Sequence, residues 1–355
     1  MNDPGPLSPA VPASRPSRRL SRRGLLAAGG ALGLGAFLTA CGDEGGSSGS
    51  SEGGASKQGS GSWSFEDDRG ETVKADSTPK KIVAFTGTAA ALHDYGVECT
   101  GVFGPTRLAN GEPDPQAGEL DVDKVTVLGN VWGEFNVEKY AALGPELLVT
   151  NMYEQDALWY VPDESKDKIL SLAPSVGIMV ARTSLSDVLG RYTALASSLG
   201  ADLKARKVTD AKKSFEDASE RLRRAAKGKR GLKVLAASAS ADLLYVSDPA
   251  AYADLTYFKE LGVELITPGK TEGGFFENLS WENADKYRAD VILLDNRTSA
   301  LQPEALTGKP TWTRLPAVKA DQVVPWASEP RFSHAGCAPL IDALAEALEG
   351  AEKTV

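Results

Sequence analysis

Val137–Val149, VEKYAALGPELLV, and Trp281–Leu293, WENADKYRADVIL, lie over one another without a gap. In each, an acid (Glu138, Glu282) falls in what reads as the first turn of a helix, and a second acid (Glu146, Asp290) falls just ahead of an apolar strand. The same helix-then-strand unit at matching points of two halves predicts a pseudo-twofold protein. Around the first copy, apolar runs alternate with helical segments: strands at 81–85, 100–103, 125–128, 146–150 and 175–180, and helices at 88–95, 136–143 and 166–173. Around the second, strands at 233–237, 244–246, 263–266, 290–294 and 323–326 alternate with helices at 250–261, 280–287 and 339–348. Such alternation implies parallel strands with both faces covered, an α/β lobe in each half.

Between the halves the strand signal disappears. Leu185, Val188, Leu189, Tyr192, Ala196 and Leu199 share one helical face, and Val208, Ala211, Phe215, Ala218, Leu222 and Ala225 recur at three- and four-residue spacing. Residues 184–227 are therefore expected to form one long connecting helix, with a joint at Gly200. The expected domains are an N-terminal lobe at 63–183 and a C-terminal lobe at 228–355.

Ahead of the lobes stands a different kind of sequence. Arg15, Arg18, Arg19, Arg22 and Arg23 precede a short Gly- and Ala-rich apolar stretch ending in Leu38-Thr39-Ala40-Cys41. That stretch is shorter than the roughly 20 apolar residues a spanning helix needs, and it resembles a bacterial lipoprotein signal. Ser21-Arg22-Arg23-Gly24-Leu25-Leu26 is similar to a twin-arginine export motif, with Sec export left open. Residues 1–40 then form the signal peptide, Cys41 the lipidated residue anchoring the chain to the outer face of the cell membrane, and 41–62 a Gly/Ser-rich tether. Losing five arginines and one aspartate takes the formal net charge from −9 to −13. So acidic a chain has no electrostatic footprint for nucleic acid and is expected to be monomeric. Cys99 and Cys337 are the remaining cysteines; a disulfide between them and two buried free thiols are equally open.

The runs PKKIVAFTGTAAALHDYGVECTGVFG, FNVEKYAALGPELLVT, LSWENADKYRADVILL and LPAVKADQVVPW resemble the ferric-siderophore and cobalamin binding-protein family of bacterial ABC importers, over Trp63 to the C-terminus. The resemblance implies two α/β lobes joined by one rigid helix (the class III binding-protein fold), with ligand held between them. It also implies a membrane permease and its ATPase as partners, and an acidic residue on each lobe for docking. Glu138 and Glu282 are the candidates for that pair, although an acid in a first turn also simply complements the helix dipole.

Ligands of open α/β lobes sit at the carboxyl ends of the strands. In the first half that selects Arg107, Trp132, Tyr153, Trp159, Tyr160 and Arg182; in the second, Tyr245, Phe275, Phe276, Arg297, Trp326, Arg331 and Phe332. Flat rings suit the organic shell of a chelate, and Arg donors suit the oxygens around iron. No G-x-S-x-G, H-E-x-x-H or Walker motif occurs, so no enzyme is expected. With His93 and His334 the sole histidines, direct metal binding and a resident cofactor are not expected: iron would arrive as a chelate, a hydroxamate siderophore by preference. Cobalamin or haem binding, an exported enzyme on a similar bilobal scaffold, and a structural lipoprotein are the competing expectations.

Overall fold

The structure is a computed structural model that describes residues 61–355; the expected signal peptide, Cys41 and nearly all of the tether lie outside the described residues. It opens with an antiparallel hairpin, β1 (Trp63–Glu66) and β2 (Thr72–Ala75), that the periodicity did not disclose. The first lobe follows: β3 (Ile82–Phe85), α1 (Thr86–Asp94), β4 (Gly101–Phe103), β5 (Thr126–Val127), α2 (Val137–Leu143), β6 (Leu147–Met152), α3 (Lys166–Leu170) and β7 (Ser175–Met179). Its sheet runs β5-β4-β3-β6-β7, all parallel. The sequence shows why α2 forms there: the Asn136 side chain accepts from Lys139 N at 2.8 Å, and Gly144 closes the helix at φ +57°.

The connector is not one continuous helix. α4 (Leu185–Ser198) stops at Gly200, which takes φ +95°, and α5 (Arg206–Gly228) starts afresh. The joint read at Gly200 is thus a full break. α5 packs along the last helix, while α4 touches both β7 of the first lobe and the helix at 253–260 of the second.

The second lobe contains β8 (Lys233–Ala239), β9 (Leu243–Ser247), α6 (Ala253–Glu260), β10 (Glu264–Leu265), β11 (Phe276–Ser280), β12 (Val291–Asp295), three short helices α7 (Pro303–Leu306), α8 (Pro310–Arg314) and α9 (Pro316–Lys319), β13 (Val323–Trp326) and α10 (His334–Gly350). Its sheet runs β11-β9-β8-β12-β13, with β10 beside the start of β8. Expecting only parallel pairing was wrong here: β9 runs antiparallel to β8 and to β11. Residues 240–242 are too few for a crossover, so the chain must turn back as a hairpin. The helix expected at 280–287 is only a single 3-10 turn, Trp281–Asn283. The last helix starts before Pro339, at His334, because the Ser333 side chain caps it through Gly336 N at 2.9 Å.

Side chains alternate between two faces along each central strand. Val83 and Phe85 pack under the outer face of the first sheet with Phe103, Tyr140 and Ile169; Leu235, Ile292 and Leu294 do the same in the second with Trp281 and Trp312. The opposite faces, Ile82 and Ala84 in one lobe and Val234, Val291 and Leu293 in the other, join through Tyr192, Leu222 and Ile341 into one shared core. The lobes are two sheets on a common helical layer. That shared layer restricts how far they can part.

Cys99 and Cys337 are both buried and free, so the disulfide alternative falls. Burial pushes the Cys99 thiol up to about 12 and raises that of Cys337 further still.

Candidate functional site

The loops after β5 and β6 build an aromatic cluster at the junction of the lobes. Trp132 meets Trp159 edge-on at 4.9 Å between ring centroids and Tyr160 at 5.0 Å, and Tyr153 packs on Trp159 at 4.6 Å. Tyr160 in turn packs on Phe85 of β3 at 5.2 Å. The loop is shaped by its own backbone: Trp159 N donates to Asn151 O at 2.9 Å, and Thr150 Oγ1 donates to Trp159 O at 2.8 Å. Asp156, Tyr160 and Arg182 all take left-handed backbone angles (φ +62°, +60° and +57°). Such angles cost free energy in non-glycine residues and concentrate where geometry serves function. Trp132 is 44 % exposed, unusual for so large a ring, and Val131 beside it is also exposed.

The second lobe faces this cluster with an ion pair. Arg297, two residues beyond the end of β12, binds Asp295 through Nε and Nη2 and Glu329 through Nη1. Glu329 then reaches across to the first lobe, where its Oε2 accepts from Trp159 Nε1 at 3.4 Å and from Gln116 Nε2 at 3.3 Å. Burial, and secondly the negative charge of Glu329, hold the Tyr153 and Tyr160 hydroxyls protonated far above neutral pH. Tyr153 Oη is buried without a hydrogen-bond partner, a donor at the heart of the cluster.

Arg182 stitches the lobes at one side. Its Nη1 donates to Tyr153 O at 3.0 Å and its Nη2 to Gly273 O at 2.9 Å, while the guanidinium lies 4.5 Å above the Phe275 ring. Glu154 pairs with the same Nη2.

The structure therefore brings together Trp132, Tyr153, Trp159, Tyr160 and Arg297, flanked by Arg182 and Phe275. The other candidates stand apart. Arg107 ties its own loop, donating to Gly111 O and pairing with Asp123. Tyr245 and Phe276 pack on each other at the edge pair β9 and β11. Trp326 is buried, its Nε1 donating to Asp254 Oδ2 at 2.6 Å. Phe332 is stacked on Tyr192 in the core, and Arg331 is paired with Asp94. Arg107, Trp326, Arg331 and Phe332 follow or end strands, whereas Tyr245 lies in the middle of β9 and Phe276 at the start of β11; all six side chains are taken up by contacts within the protein. Glu329, Gln116 and Asp295 were missed, because a single acid or amide in a loop (Glu329), in a 3-10 turn (Gln116) or closing an apolar strand (Asp295) carries no periodic signal. Among the described residues, no three His, Cys, Asp or Glu side chains gather as a metal site would need. No helix among them is long and apolar enough to cross a membrane.

Two α/β lobes on a shared helical layer, with an aromatic and ion-paired junction at the strand ends, define a class III solute-binding protein. The chain belongs to the periplasmic binding protein family, which it matches over residues 83–330. It is similar to DesE, a ferric-siderophore receptor protein from Streptomyces coelicolor, at 57% identity over 82% of this chain and 100% of that one, with a TM-score of 0.80. It shares its fold with SirA of Staphylococcus aureus, solved with staphyloferrin B (21% identity, 81% of this chain and 99% of that one, TM-score 0.58). The petrobactin-binding protein YclQ of Bacillus subtilis shares it likewise (17% identity, 81% and 99%, TM-score 0.61). No curated protein sequence matches the chain. The family and these relatives are binding proteins, and this chain is a binding protein, not an enzyme.

Proposed function

We propose that this chain is the solute-binding component of an iron-siderophore ABC importer. It is exported, anchored through a lipidated Cys41, and works as a monomer outside the membrane. It captures a ferric siderophore between its lobes and passes it to a permease driven by its ATPase; nucleic acid has no part. The observation that carries the reading is the cluster of Trp132, Tyr153, Trp159 and Tyr160 against Arg297 and Glu329 of the other lobe. Rings of this kind cover the methylene and amide shell of a chelate. The shell they fit is compact and of mixed polarity, which favours a hydroxamate ligand. The similarity to a ferric-siderophore receptor supports the same ligand class. Iron comes wrapped in its chelator, so the protein itself needs no metal ligands.

Tryptophan fluorescence tests the reading directly. Trp132 and Trp159 stand in the cluster, so a ferric trishydroxamate that absorbs beside them should quench emission saturably at submicromolar concentration. Quenching by cobalamin or haem, with none by ferric hydroxamates or catecholates, would replace the siderophore by those ligands.

A further inference from the structure

Given the siderophore reading above, the junction also constrains the charge of the chelate. A guanidinium at a strand end would ordinarily attract an anion, but each of the three Arg297 nitrogens already meets a carboxylate. Its Nε lies 3.1 and 3.0 Å from the two oxygens of Asp295, its Nη2 lies 2.7 Å from Oδ2, and its Nη1 donates to Glu329 Oε1. The Asp295 and Glu329 side chains are 0% and 7% exposed, against 32% for Arg297. Two withdrawn carboxylates therefore oppose one guanidinium, and the group is net negative by one charge. Asp114, also buried, adds a carboxylate near Tyr160. The other arginines named as candidates offer no free cation in compensation: Arg182 is matched by Glu154, Arg107 by Asp123 and Arg331 by Asp94. Glu329 is the member of this set nearest the aromatic cluster, since its second oxygen accepts from Trp159 and Gln116 across the junction.

We propose that Glu329 selects the ligand's charge: by over-neutralising Arg297 beside the aromatic cluster, it admits a cationic or neutral ferric chelate and rejects a polyanionic one. Like-charge juxtaposition at a partly dehydrated site discriminates strongly because little solvent screens it.

The test compares three ferric complexes by fluorescence titration of the full chain: the linear trishydroxamate ferrioxamine B with its free ammonium (monocationic), macrocyclic ferrioxamine E (neutral), and ferric enterobactin (trianionic). The wild-type protein should bind the trianion at least about a hundredfold more weakly than either hydroxamate. Glu329→Gln should weaken the monocation more than the neutral macrocycle, and narrow the gap between monocation and trianion by about tenfold or more. A wild-type protein that holds the trianion as tightly as the hydroxamates overturns the proposal, and this arm decides it even if the variant fails to fold. A folded Glu329→Gln protein with unchanged ratios overturns it as well. In both outcomes the siderophore reading stands; only failure to bind any of the three complexes would sink that reading and the charge selection together.

Discussion

Arg331 Nε, in the loop ahead of α10, lies 3.1 Å from Asp94 Oδ2 at the end of α1, so the two lobes are joined by an ion pair withdrawn from water. The Asp94 side chain is 3% exposed and that of Arg331 17%. Ser333 donates to the same Asp94 oxygen while capping α10 through Gly336, so the pair also fixes where the last helix begins. The pair lies in the shared helical layer, where it links the lobes at the level of their common core.

Breaking this pair from one side should cost more than its net worth, because the surviving charge is left buried. Asp94→Ala strands the Arg331 guanidinium, whose Nη1 already has no partner. The expected loss is about 3 kcal/mol of unfolding free energy, read as a lower urea midpoint at unchanged slope. Were stability unaffected and ferric-chelate affinity reduced instead, Arg331 would be a ligand group, as its place near a strand end first implied.

The two copies of the repeated segment show how far the sequence could be read. Both strands, β6 and β12, form where the apolar runs lie, directly after the acids Glu146 and Asp290, because these continuous runs are buried. The helices diverge. Asn136 supplies a capping oxygen and α2 forms; Ser280 makes no cap bond, and Trp281 is drawn into the core with its Nε1 donating to Ser240 O and Ala241 O. Tertiary demand for that ring overrode the local pattern. In the same way strand ends marked the region where the aromatic junction forms, while the partner of each side chain was set by contacts distant in sequence. Trp132 and Trp326 looked alike on the chain; one is exposed at the junction and the other is held inside by Asp254.

Asp254 gives a pH-dependent prediction. Burial pushes its carboxyl up to about 6 from 3.8, against the bond from Trp326 Nε1. Its folded-state pKa is raised, so the native protein binds a proton more tightly than the unfolded chain. As pH falls from about 6 towards 4 this group adds stability, at up to about 1.4 kcal/mol per pH unit; above that window its ionised form is a constant burden. Asp254→Asn removes the burden and should be more stable than the wild type at pH 7.5. The difference should shrink steadily to pH 4, where the carboxyl is protonated in the native state. Urea midpoints for both proteins across that range check it, and a difference independent of pH would assign the effect to packing alone.

The free thiols make a separate test. With Cys41 replaced by Ser, the native protein at pH 8 should react negligibly with a thiol reagent, because Cys99 and Cys337 are buried and their thiols resist ionisation. Two equivalents should react once urea unfolds the chain, without prior reductant. Reaction that appears only after reduction would restore the disulfide that the structure removes.

Glu138 and Glu282 stand outside the aromatic junction. Both are exposed, they occupy equivalent places in the repeat, and among the described residues neither forms an ion pair. Glu138 sits in the first turn of α2 and Glu282 in the 3-10 turn that replaces the second helix, so the two present one carboxylate each from the two lobes. If they are the acids that meet the permease, reversing both to Lys should lower uptake of iron-loaded siderophore by cells at least about tenfold, since like charges across an interface oppose docking. Fluorescence titration of the same variant should give unchanged chelate affinity, because neither acid belongs to the aromatic junction. A helix-dipole role makes the opposite prediction: a small loss of stability and normal uptake. Uptake at wild-type rates in a folded double variant would therefore leave these acids as local stabilisers only, and the docking surface would have to be sought elsewhere on the two lobes.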